Sequence, residues 1–91
     1  MDRPQDPESL LTFPCVFPMK VMGRREDGFA QTVAEIVRRH AADFHPETIE
    51  MRASKNGRYL SLTVTLNAKS REQLDALYSE LSKHPMVMMV L

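Results

Sequence analysis

The 91-residue chain has one cysteine, no tryptophan, three glycines, and no apolar run longer than Met86 to Leu91. Each scarcity removes a class of protein. A single cysteine, Cys15, cannot form an internal disulfide, so an apolar core must hold the fold. A run as short as Met86 to Leu91 falls far below the roughly 20 residues that span a bilayer as a helix. Charge of one sign is missing too, because twelve basic and twelve acidic residues cancel. The net field that draws a general nucleic-acid binder to phosphate backbones is therefore absent. The Met1 end has neither the basic start nor the apolar segment of a secretory signal, which makes a cytoplasmic protein the expectation.

What remains is ordinary globular composition, 43% hydrophobic and 26% charged, in a chain sized for one domain and one core. Residues 1–12 carry Pro4 and Pro7 among Asp2, Arg3, Gln5, Asp6 and Glu8 and read as a flexible polar arm. Residues 13–91 read as the domain. From Phe13 to Met22, Cys15, Phe17, Met19 and Val21 share one period-2 face, and Val16, Pro18, Lys20 and Met22 share the other. This predicts a first strand, with Pro18 delaying the regular ladder to about Met19 because proline has no N–H to donate. Phe29, Val33, Ile36, Val37 and His40 then recur at helical spacing, with Glu26 and Asp27 before them and Arg38, Arg39 and His40 at the end. The predicted helix runs from about Gly28 to about Asp43.

Asn56-Gly57, flanked by alternating residues, predicts a hairpin closed by a type I′ turn. Counting outward pairs Ala53 with Leu60, Met51 with Leu62 and Ile49 with Val64 on an apolar face, and Arg52 with Ser61 and Glu50 with Thr63 on a polar one. Ser70-Arg71-Glu72-Gln73 matches a capping box that opens a second helix, whose buried stripe would be Leu74, Leu77, Tyr78 and Leu81. His84-Pro85 ends it, and Met86 to Leu91 reads as a last strand.

The order β-α-β-β-α-β with right-handed crossovers predicts an α+β, ferredoxin-like two-layer sandwich. Two helices would cover one face of a four-stranded antiparallel sheet of order 4-1-3-2, leaving the other face open. A last strand apolar at every position does not suit a half-solvated edge. Either the arm folds over it through Leu10, Leu11 and Phe13, or Met86, Met88 and Val90 form an interface with another copy or another protein.

Catalytic chemistry finds no constellation. Cys15 falls on the core face with no histidine near it in sequence, His40 closes a buried stripe, and His84 ends a helix. Asp43, His45 and Glu47 lack the spacing of a metal site, and no motif implies a cofactor. The turn Gly23-Arg24-Arg25-Glu26-Asp27-Gly28 is the candidate ligand site, with Gly23, Arg24, Asp27 and Gly28 supplying backbone donors and charge before a helix N-terminus. RNA-recognition modules share the strand order but present aromatics on the central strands. Here Tyr59 stands alone on the third strand, and an RNA-binding role is disfavoured.

The run Phe13-Pro14-Cys15-Val16-Phe17-Pro18-Met19-Lys20-Val21-Met22-Gly23, the hairpin from Ser54 to Val64, Ser70-Arg71-Glu72-Gln73-Leu74 and the end His84-Pro85-Met86-Val87 together resemble the YbeD-like family of small bacterial proteins. The resemblance spans about residues 13–91. It implies a ferredoxin-like domain similar to ACT domains, regulatory modules that bind small effectors, often amino acids, at subunit interfaces. It carries over no catalytic residues. Asp27-Gly28-Phe29-Ala30 looks similar to the acidic-glycine turn of ACT domains, without the usual intervening proline. The expectation is a non-enzymatic regulatory module that acts in trans, self-associates and takes a small metabolite. The alternative is a protein-interaction adaptor without a small ligand.

Overall fold

The computed structural model describes residues 12–91. The expected order is observed: β1 (Cys15–Arg24), α1 (Phe29–His40), a single 3-10 turn (Pro46–Thr48), β2 (Glu50–Ala53), β3 (Tyr59–Ala68), α2 (Arg71–Lys83) and β4 (Val87–Val90). The strands form one antiparallel sheet in the order β2-β3-β1-β4, the ferredoxin-like order predicted. The arm, one of the two alternatives for covering the last strand, lies almost wholly outside the described residues.

β1 lies two residues further along than expected, and its ladder does not wait for Met19: it pairs with β3 from Cys15↔Ala68 to Arg24↔Tyr59, straight through Pro18↔Thr65. Lys20 shows why proline is tolerated. Its N–H and C=O bond Leu91 of the chain's last stretch, and a period of two puts the Pro18 nitrogen on that same side. β4 registers with β1 only at Val21, Met22 and Gly23, so the missing donor costs no ladder bond.

The hairpin register is as counted, Glu50↔Thr63 through Ala53↔Leu60, although Ile49 lies outside the ladder. The turn type differs from expectation. A type I′ turn needs positive φ at both central residues, whereas only Gly57 has it, at 76°. Instead the Gly57 N–H bonds the Ser54 carbonyl at 2.9 Å, while Asn56 Oδ1 accepts from the Arg58 N–H at 3.1 Å and the Ser54 hydroxyl at 3.0 Å. The asparagine side chain thus takes over work that a mirror-image backbone would do. Ser54 N–H to Tyr59 C=O at 2.9 Å closes the loop in the counted register.

α1 buries Phe29, Val33, Ile36 and Val37 and stops at His40. Ala41 leaves the helical conformation, and the chain folds back to bury Phe44. α2 buries Leu74, Leu77 and Leu81, each side chain worth roughly 1.5–3 kcal/mol of transfer free energy. Tyr78 is half-exposed, so the apolar stripe is one residue narrower than its spacing suggests. Ser70 caps the helix by accepting from the Gln73 N–H at 3.1 Å. The reciprocal arm shifts by one residue, since Gln73 Oε1 accepts from the Lys69 N–H. Gln73 Nε2 also donates to the His40 carbonyl at 2.7 Å, satisfying a free acceptor at the α1 C-terminus.

A second tie joins the helices. His40 Nε2 donates to Glu80 Oε1 at 2.6 Å, and Arg39 pairs with the other carboxylate oxygen. The His40 hydrogen bond, then the hydrogen bond and charge of Arg39, hold the Glu80 carboxyl below its ordinary value against the opposing effect of partial burial.

At the other end of the core, Gly23 admits no side chain. A Cβ there would lie 2.4 Å from the Met86 carbonyl oxygen and 2.7 Å from the Phe29 ring. Since the obstruction includes backbone, Gly23→Ala is expected to cost about 1–3 kcal/mol by overpacking and to lower the melting temperature by roughly 4–8 °C per kcal/mol. Differential scanning calorimetry checks it, and an unchanged midpoint would show the contact to be slack. The Glu80 tie carries a pH signature. A depressed folded-state value means stabilisation present above the unfolded carboxyl value and lost as pH falls through the folded one. Denaturant titrations across the acidic range should show Glu80→Gln losing stability near neutrality and losing less than the wild type on acidification.

Candidate functional site

Among the described residues no element covers the sheet face opposite the helices, and its two halves differ in chemistry. Toward β2 and β3 it presents Glu50, Arg52, Ser61 and Thr63 around Lys20, lining a shallow depression of ≈ 280 Å³. Toward β4 it is apolar, with Met22 opposite Met89 and Lys20 opposite Leu91.

The uniform apolarity of Met86 to Leu91 has a structural reason. Val21 pairs with Val90 and Met22 with Met89, but Gly23 pairs with Val87, so Met88 is an extra residue in a β-bulge. The bulge resets the alternation. Val90 turns into the core at 6% exposure, whereas Met88 and Met89 are both exposed, at 59% and 50%. Of the three residues expected at an interface, Met88 is on the surface, Met86 is half-buried, and Val90 belongs to the core. Met89 and Leu91 are the further exposed residues here, beside the half-buried Met22. Period-2 counting missed them because a bulge leaves no reliable mark in a strand apolar throughout.

The turn after β1 is built from backbone. The Arg25 N–H bonds the Arg58 carbonyl at 2.8 Å and the Phe29 N–H bonds Glu26 at 3.2 Å. Gly28, at φ 82°, is the α1 N-cap and offers no side-chain cap. The four residues expected to make one ligand site are distributed differently. Gly23 is buried under Phe29 and Met86. Asp27 and Gly28 line an open depression with Arg25, Glu26, Met51 and Leu60. Arg24 lines a neighbouring one of ≈ 540 Å³ with Arg25, Glu26, Gly57, Arg58 and Tyr59. Arg25 lay inside the candidate turn without an assigned role, whereas Arg58 was not singled out, and the Asn56-Gly57 turn that brings it to this end was its only signal.

The remaining candidates for chemistry have structural partners. Cys15 is half-buried against the core rather than enclosed in it. His84 Nδ1 accepts from the Met86 N–H at 3.1 Å, which turns the chain from α2 into β4. Asp43 pairs with Lys69 at 3.6 Å, and His45 with Glu47 at 3.5 Å. Among the described residues no helix is long and apolar enough to cross a membrane.

Comparison with solved structures shows the fold in other proteins. An H. pylori protein solved in solution superposes with a TM-score of 0.72 at 18% identity, over 89% of this chain and 85% of that one. The ACT domain from the GTP pyrophosphokinase of Chlorobium tepidum superposes with a TM-score of 0.65 at 17% identity, over 85% and 83%. Among curated sequences, a UPF0250 protein of Nitrosomonas europaea is 55% identical over 84 residues, 92% of this chain and 97% of the relative. One of Ralstonia nicotianae is 51% identical over 92 residues, 99% and 95% of the two chains. The family model described as a protein of unknown function, DUF493, matches residues 8–91, in agreement with the YbeD-like resemblance: the chain belongs to that family and has an ACT-like, ferredoxin-like fold.

Proposed function

We propose that this domain is a non-enzymatic regulatory module that acts in trans, associating with a second copy through the β1–β4 half of its open face and taking a small metabolite at the turn end of that surface. The observation that carries the reading is the exposed row Met88, Met89 and Leu91, beside the half-buried Met22, on a sheet face that no helix of the described residues covers. Contiguous exposed apolar surface marks interaction sites, and methionine adapts to the surface it meets.

Face contact is favoured over edge pairing. β4 is four residues long, and its bulge interrupts the ladder that an added strand would extend, the usual protection against edge-to-edge association. The row lies at the sheet margin, so two copies related by a two-fold axis there would overlap at β4 and β1. Glu50 and Arg52 on β2 would stay outside the contact. The turn adjoins this surface, because Gly23 touches the Met86 carbonyl at the start of β4. A ligand there would bridge the module and its partner, as the ACT-like fold suggests.

Light scattering across a concentration series tests the association. The wild type is expected as a dimer, and Met89→Lys should weaken it about tenfold or more while melting within a few degrees of wild type. Val90→Lys, which buries a charge, should lose the fold itself. A wild-type chain that stays monomeric throughout would overturn self-association and leave the adaptor reading.

A further inference from the structure

Arg24, Arg25 and Arg58 converge at one end of the sheet, and among the described residues none of the three has an ion-pair partner. They come from two segments held in register by backbone. Arg24 is paired with Tyr59 across β1 and β3, and the Arg25 N–H bonds the Arg58 carbonyl at 2.8 Å. The Arg25 guanidinium lies across Gly57, 3.3 Å from where a side chain on that glycine would begin. Glu26 is the sole acid in the lining, so the depression has a net two positive charges.

That charge selects a ligand class. A zwitterionic amino acid brings no net charge to balance it. Phosphate oxygens match the guanidinium fork in pairs and bring the charge required. We infer that this depression binds a small phosphate-bearing anion of the diphosphate class, with Arg25 and Arg58 gripping it and Arg24 closing the side toward the open face. The inference rests on the metabolite half of the proposed function and specifies it. It moves the ligand away from Asp27 and Gly28, whose own depression sets Glu26 and Asp27 against Arg25 alone and would repel an anion.

Isothermal titration calorimetry on the full chain, with inorganic pyrophosphate, ADP and leucine as separate titrants, tests it. Pyrophosphate and ADP are expected to bind and leucine not to. Arg25→Ala and Arg58→Ala should each weaken binding about tenfold or more. Arg38→Ala, which removes the same charge from exposed α1 surface, should leave binding unchanged. The three variants are expected to melt near the wild type, since Arg25 and Arg58 hold the loop through backbone atoms. Equal affinity for the two phosphates would assign the site to the diphosphate group itself, and tighter ADP binding to an organic diphosphate; either supports the inference. An equal loss in Arg38→Ala would overturn it in favour of diffuse electrostatics. Leucine binding without pyrophosphate binding would overturn the ligand class and leave the metabolite reading standing. No binding of any titrant would overturn both, whatever light scattering finds for association.

Discussion

The contact at Gly23 governs how the two ends of the chain meet. There the first turn of α1, through Phe29, and the start of β4, through the Met86 carbonyl, press on β1 so closely that only a hydrogen fits. Three later features depend on that approach. It sets where the turn leaves β1, it brings Met86 against the end of the same strand, and it lies at the position where β4 shifts register. A larger residue would drive helix and strand apart together, because close-packed interiors do not absorb an added methyl locally.

The bulge beside it converts a uniformly apolar segment into two functions. Val87 and Val90 pack toward the core while Met88 and Met89 are left on the surface. The same irregularity shields the edge, since an interrupted ladder is a poor template for a further strand. One bulge would thus direct the proposed association toward the face and away from open-ended edge pairing.

How much of this was legible follows from which physical signals are local. The hairpin register was, because alternation and turn residues specify it independently, and Asn56-Gly57 kept the register even with a different turn. Both helices were, from spacing and caps. Tyr78 and the shifted capping partner were not, because each depends on what the neighbouring element offers, solvent in one case and the α1 C-terminus in the other. Val90 and Met89 exchanged roles because a bulge is a tertiary feature. At the site, Arg24 was visible as a charge beside a turn, but Arg25 and Arg58 lie more than 30 residues apart in sequence, and only the β1–β3 register makes them neighbours.

The neutral chain is not neutral everywhere. Lys20, Arg24, Arg25, Arg52, Lys55 and Arg58 stand on the open face and its turn end against Glu26, Asp27 and Glu50, while the described acids elsewhere outnumber the bases around the helices. Association through the methionine row would bring this positive end toward its copy, and repulsion there opposes the apolar contact. An anion held by Arg24, Arg25 and Arg58 would neutralise part of that charge at the margin of the same surface. Linkage then requires reciprocity: an anion that tightens association by some factor must itself bind the associated form more tightly by that factor. Arg24 is the residue through which the two would meet, being paired with Tyr59 on the open face and lining the depression. On these terms the fold needs no moving part to couple ligand and partner, because a fixed cluster of charge beside a fixed apolar row is enough.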